Sequence, residues 1–167
     1  MITCCFENGG KAFLRHVTCN VIIIKEGRVL LGKRGTFQGR KIAEFGKWGL
    51  IGGYLGRDEN LIQAIRREAL EESGYQIKNI KLFRIKDNPD RPHEDKQNVD
   101  FCFLANPGKK IKDSDEEMVE LCWFDLDRLP PKKQLAFDHA DDLGLYKKYL
   151  KKKFKIPILG KSYFLKI

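Results

Sequence analysis

Glu68, Glu71 and Glu72 stand at positions i, i+3 and i+4, directly after Arg67 and about fifteen residues beyond the pair Gly52-Gly53. On a helix that spacing puts all three carboxylates on one face within about a turn, where like charges repel by roughly 0.2–0.5 kcal/mol per pair. A structural helix gains nothing from this. A hard divalent cation would neutralise the repulsion, since Mg2+ favours carboxylate oxygen and keeps waters and substrate phosphates in its remaining positions. The plainer alternative at this point is a solvated acidic face paired with Arg66 and Arg67.

The surrounding pattern predicts the helix that would carry these groups. Asn60 is a good N-cap, and Gln63 three residues later completes a capping box. Leu61, Ala64, Ile65 and Ala69 supply the apolar stripe, and Gly74 is a natural terminator. The helix therefore runs over Leu61–Ser73. Before it, residues 17–24 and 28–34 read as a β-hairpin turned by Lys25-Glu26-Gly27, residues 35–47 as a loop, and residues 48–53 as a short buried strand. After it, residues 77–86 and 98–105 read as strands joined by a loop at 87–96 that holds Pro89 and Pro92. Residues 109–117 read as a polar loop and 119–124 as a last strand. Pro130-Pro131 breaks the chain, and Leu143, Tyr146, Leu150 and Phe154 mark one face of a C-terminal helix. Strands with two good helices predict an α/β fold, a mixed β-sheet sandwiched between α-helices.

The chain has 167 residues, 42% hydrophobic and 33% charged. That composition excludes a disordered polar chain, and the length predicts a single domain over 1–167 with a basic C-terminal helix and tail at about 138–167. The longest aliphatic run, Val21 to Ile24, is too short to span a bilayer, and no leader pattern is visible at the N-terminus. A formal charge of +9 suits an anionic partner without choosing among nucleotides, nucleic acid and acidic membrane. Five irregularly spaced cysteines, with no Cys-x-x-Cys pair, predict reduced structural thiols and a cytoplasmic setting.

Gly53, five residues, Glu59, seven residues, Arg67-Glu68, Ala69, Leu70, Glu71-Glu72, Ser73, Gly74 and Tyr75 resemble the box of the Nudix hydrolase family, Gly-x5-Glu-x7-Arg-Glu-U-x-Glu-Glu-x-Gly-U with U apolar. Seven fixed residues at about 5–7% usage each would match a given register by chance on the order of 10⁻⁸ of the time. The resemblance implies the Nudix fold and hydrolysis of a nucleoside diphosphate linked to another moiety, with Mg2+ or Mn2+. It implies metal ligation by Glu68, Glu71, Glu72 and the Gly52 carbonyl. Arg67 would orient the carboxylates, Glu59 would bond to Arg67, and Gly53 would support the turn. The resemblance leaves the general base open between a box glutamate and a glutamate in a late loop; for the late loop Glu117 is the candidate, with Glu116 and Glu120 as alternatives.

Among weaker signals, Phe37 and Trp48 flank the long loop and could stack on a base, and Arg34 and Arg40 could meet phosphates. Phe45 and Lys47 share those readings, with loop anchoring and solvated charge as the ordinary ones. His16, His93 and His139 lack ligand spacing and read as structural or solvated. Pro89, fifteen residues after Gly74, resembles a proline of members acting on ADP-ribose, which puts ADP-ribose or a related nucleotide sugar ahead of nucleoside triphosphates. The marker and zinc ribbon of NADH-cleaving members are absent. The lysine-rich stretch at 147–155 leaves an RNA partner open without favouring it and reads as a solvated helix face. A membrane partner is not expected, and a homodimer is possible on this reading.

Overall fold

A computed structural model of the chain describes residues 2–91 and 97–159. Pro92, His93 and the last eight residues of the basic tail lie outside the described residues. The strands are β1 (Ile2–Cys5), β2 (Lys11–Leu14), β3 (Val17–Lys25), β4 (Arg28–Arg34), β5 (Thr36–Phe37), β6 (Arg40–Lys41), β7 (Trp48–Gly49), β8 (Ile51–Tyr54), β9 (Tyr75–Lys86), β10 (Val99–Lys110), β11 (Met118–Asp125) and β12 (Ile158–Leu159). The helices are α1 (Leu61–Ser73) and α2 (His139–Lys151).

β11-β4-β3-β10-β9-β12 form a mixed sheet in that order, with β7 paired to β4 and β8 to β3. β3 lies parallel to β10 and antiparallel to β8. Side chains alternate along β3 and so divide its apolar run between two layers. Val21 and Ile23 face the core under α1, with Ala64, Ile65, Ala69 and Phe103. Ile22 faces the core under α2, with Leu31, Phe83, Leu143 and Tyr146. This is the expected α/β sandwich.

Several expected elements differ in detail. The strand expected at 48–53 is two pieces: β7 joins β4 and β8 crosses to β3, with Leu50 between them buried in the α2-side core. The hairpin of β3 and β4 pairs only at its turn; further along, β4 pairs with β7 and β3 with β8, while β11 follows the other edge of β4. The strand expected over 98–105 continues to Lys110, bulging against β9 in three places. The supposed loop at 35–47 contains the small β5–β6 hairpin, and the N-terminal β1–β2 hairpin had no counterpart in the sequence reading. Phe154 lies beyond the end of α2 yet still packs on Tyr149. All five cysteines are free thiols, and burial pushes Cys19 up to about 12. No helix among the described residues is long and apolar enough to cross a membrane.

Candidate active site

Helix α1 begins as its sequence predicts. The Asn60 side chain accepts from the Ile62 and Gln63 amides, and the Gln63 side chain accepts from the Asn60 amide. It ends at Gly74, whose left-handed φ of 71° lets its N–H reach the Leu70 carbonyl. With both ends fixed and Ala64, Ile65 and Ala69 packed on the sheet, the rotation of the helix is set. That rotation turns Glu68 and Glu72 inward, to 9% and 3% exposure, and leaves Glu71 at the rim. A solvated acidic face would not bury two of its carboxylates.

The Gly52-Gly53 pair receives them. Gly52 has φ 145°, and a Cβ there would come within 2.1 Å of the Cys19 carbonyl oxygen, so β8 can approach β3 only with glycine. The Gly52 amide donates to Glu72 Oε2 at 2.7 Å. A Cβ on Gly53 would sit 2.7 Å from Glu68 Oε1, so the missing side chain is the space the carboxylate occupies.

Arg67 organises the rim. Its Nε and Nη2 reach Glu59 at 3.0 and 2.6 Å, Nη1 bridges Glu68 (2.8 Å) and Glu71 (2.9 Å), and Nη2 also donates to the Tyr54 carbonyl at 3.1 Å. The Glu59 bond, with the other two carboxylates, holds the Arg67 pKa well above the usual arginine value. Burial pushes Glu68 up to about 7 against the pull of Arg67, and burial next to Glu68 raises Glu72 well above the carboxylate range.

The late acidic loop resolves into three different environments. Glu120 faces outward and pairs with Lys33 at 3.3 Å. Glu116 is bound to the β5–β6 hairpin. Glu117 is half-buried, and its charge acts on both Glu68 and Glu72. Its pKa is raised by burial and by Asp115 and Glu71, against the pull of Arg34. Of the three expected candidates, Glu117 is the one held beside the box.

A cleft of about 80 Å3 opens beside Gly52 and Gly53, lined among others by Thr18, Asn20, Arg34, Arg91 and Phe137. The Arg34 and Arg91 guanidinium groups lie over the Phe137 ring at 5.2 and 4.8 Å from its centroid. Under the cleft runs a buried ionic network. Lys86 meets Asp142 (2.6 Å), Asp138 (3.0 Å) and Asp100 (3.3 Å), Arg84 meets Asp142, and Arg91 meets Asp138. Asp100 Oδ1 accepts from Thr18 and Asn20, tying the network to the cleft. Burial and the nearby Lys86 and Arg91 hold His139 well below the usual histidine value, and its Nδ1 accepts from the Leu50 amide.

Of the expected substrate contacts, Arg34 reaches this cleft. Phe37 and Arg40 do not; they sit exposed on the β5–β6 hairpin. Trp48 is partly buried, packed against the α2-side core and edge-on to Phe124 at 5.0 Å, and it does not line this cleft. His139 is structural, as expected, while also lining the cleft. Asn20, Arg91 and Phe137 were missed. For Asn20 a signal existed: it is a lone amide in an otherwise apolar strand.

The donor set suits a hard cation in chemistry, with carboxylates and a glycine carbonyl at a place without side chains. The described residues do not hold it as a finished cluster, and no group of three or more acidic, His or Cys side chains among them closes on one point. Arg67 Nη1 stands between Glu68 and Glu71, bonded to both.

The NUDIX domain family model matches residues 14–143. The oxidized purine nucleoside triphosphate hydrolase of Danio rerio is 32% identical over 139 residues, covering 80% of this chain and 78% of that protein. The NAD-capped RNA hydrolase NudC of Pectobacterium carotovorum is 29% identical, and its match covers 67% of this chain but 40% of that longer protein. A Nudix hydrolase structure from Nitrosomonas europaea superposes with a TM-score of 0.69 at 24% identity, over 90% of this chain and 81% of that one.

Proposed function

We infer that this chain, which belongs to the Nudix family and is a Nudix pyrophosphohydrolase, cleaves the pyrophosphate linkage of a free purine nucleoside triphosphate with the help of Mg2+ or Mn2+. The observation that carries the reading is the buried Glu72 carboxylate, received by the Gly52 amide and facing Glu68 inside an acidic group that Arg67 only partly neutralises. Glu68, Glu71, Glu72 and the Gly52 carbonyl would hold the cation. When bound, it supplies charge neutralisation for the phosphoryl oxygens and polarises water. Glu117 would accept the proton of the attacking water. Its raised pKa brings it nearer to neutral pH, where a general base works best. Arg34 would bind phosphate and hold it in line, which is most of what phosphoryl transfer asks of a protein.

The triphosphate preference rests on the Danio rerio protein, whose match covers most of both chains. It reverses the order that Pro89 suggested from sequence. A second reading, ADP-ribose or a related nucleotide sugar, keeps one structural support. Pro89 stands two residues before Arg91, which lines the cleft, so that loop does reach the site.

The test is a panel of purine triphosphates, oxidised purine triphosphates, ADP-ribose and capped RNA with millimolar Mg2+ or Mn2+, with products separated. The expected result is nucleoside monophosphate and pyrophosphate, with kcat/KM for a triphosphate above that for ADP-ribose. The reverse order moves the substrate to the second reading. No cleavage of any compound with either metal sinks both.

A further inference from the structure

We propose that Glu116 is a positioning residue that couples the β5–β6 hairpin to Glu117, so that the hairpin and the proposed base are held as one unit. The inference rests on the reading of Glu117 given above.

The hairpin cannot account for its own shape. Its strands are two residues each, far below what stands alone in water. Its two-residue turn has Gln38 at φ 50° and Gly39 at φ 73°. Both angles are positive, as in a type I′ turn, which suits Gly39 but is unfavourable for Gln38. Successive amides in such a turn form a concavity for an anion. The Glu116 carboxylate fills it. Oε1 accepts from the Gln38 amide at 2.6 Å, and Oε2 accepts from the Thr36 hydroxyl at 2.9 Å and the Gly39 amide at 3.4 Å.

The main chain completes the tie. The Thr36 amide donates to the Glu116 carbonyl at 2.9 Å, and the Gly35 amide donates to the Glu117 carbonyl at 2.8 Å. Such close approach needs glycine at 35, where a Cβ would meet the Glu116 carbonyl oxygen at 2.4 Å and Val119 Cγ1 at 2.5 Å. Five hydrogen bonds thus join residues 35–39 to two adjacent residues, one of which is Glu117. A displacement of the hairpin is thus transmitted to the Glu117 backbone.

The alternative is a carboxylate that only stabilises a local turn. Two measurements separate them. The first is amide hydrogen exchange, read residue by residue in Glu116→Ala and, as the milder change, Glu116→Gln. Coupling requires the Gly35 amide, which bonds to Glu117, to exchange faster along with those of Gln38 and Gly39, while core amides such as Ile22 stay unchanged. Acceleration of Gln38 and Gly39 with Gly35 unmoved overturns the proposal. The second is a double-mutant cycle in kcat with Glu117→Gln. Glu116→Ala alone should lower kcat about tenfold, within the range that small misplacements produce, and should lose that effect in the Glu117→Gln background. Multiplying effects overturn it. If Glu117→Gln by itself keeps wild-type turnover, the base assignment fails, and the exchange experiment alone decides the coupling.

Discussion

Among the described residues, the charged groups beneath the cleft and in the box are both largely buried, and their charges balance differently. Beneath the cleft, Arg84, Lys86 and Arg91 face Asp100, Asp138 and Asp142, three cations against three carboxylates at 2.6–3.3 Å. Burial opposes the charge on Lys86, yet Asp142, Asp100 and Asp138 together hold its pKa above the usual lysine value. In the box, Glu59, Glu68, Glu71, Glu72 and Glu117 face Arg67 and Arg34. There burial wins, and Glu68 and Glu72 are pushed toward the protonated form. A balanced network is complete as it stands and serves the fold. An unbalanced one, paid for in desolvation, anticipates a positive partner. Each group can be broken separately, and the consequences should differ in kind.

The largest effect is expected in the box and on turnover. Glu72→Gln removes a carboxylate that a neutral amide cannot replace on a hard cation. Since the metal contributes several kcal/mol to such a transition state, turnover should fall about a thousandfold or more. Far-UV circular dichroism should stay that of wild type. Activity within a few-fold of wild type would remove Glu72 from the site.

The next effect is on stability and belongs to the balanced network. Lys86→Met leaves Asp138, Asp142 and Asp100 short of a cation in a buried place. Breaking one partner of such a group costs about 3–5 kcal/mol. For a chain of this size that is on the order of a 10 °C fall in Tm. Melting measured by circular dichroism would show it. An unchanged Tm would mean that the network contributes little to the fold.

The two groups also differed in how far sequence exposed them. The box is local. Its glutamates lie within five residues, on a helix whose cap, stripe and terminator are all in the same stretch, so Leu61–Ser73 followed from the sequence, whereas the burial of Glu68 and Glu72 with Glu71 at the rim came only from the rotation of the helix on the sheet. The network is not local. Lys86 and Asp142 are 56 residues apart and meet because β9 and α2 share the second core. Nothing in the spacing of Arg84, Lys86, Asp100 and Asp138 pairs them. The same limit hid Arg91 and Phe137, which reach the cleft from separate loops. It also hid the β5–β6 hairpin, held by a carboxylate 78 residues away from Gln38. The packing of Trp48 was not legible either, because an aromatic beside a long loop looks the same in sequence whether it faces solvent or Phe124.

A smaller effect tests the imbalance directly. A ligand that binds only the folded state adds about 2.7 kcal/mol at a hundredfold excess over its dissociation constant. Mg2+ or Mn2+ should therefore raise the Tm of wild type, and of Lys86→Met by the same increment, while Glu72→Gln gains little. Melts with chelator and then with metal would measure this. Equal shifts in wild type and Glu72→Gln would mean that the cation sits elsewhere.

The smallest effect is the pH dependence of stability in the metal-free protein. Burial raises Glu68 from an ordinary unfolded value of about 4.3 to about 7 in the folded state. Between these values the folded chain binds more protons than the unfolded one, so stability falls as pH rises through that window. Below it the group costs nothing; above it the whole cost of a buried charge is present. His139 acts in the opposite sense. Its lowered pKa means that stability is lost as pH falls below about 6.5, where the unfolded histidine takes up a proton. The wild-type profile alone would mix the two. The difference between wild type and Glu68→Gln isolates the carboxylate, because His139 is the same in both. The variant should match wild type near pH 4.5 and become the more stable protein by pH 8. The gain should build up across that window, offset in part by the lost bond from Arg67 to Glu68, and read as a few degrees in Tm. Excess metal should close the gap by favouring the charged carboxylate. Parallel profiles across that range would show that Glu68 carries no buried charge, and the contrast between the two groups would then rest on Glu72 alone.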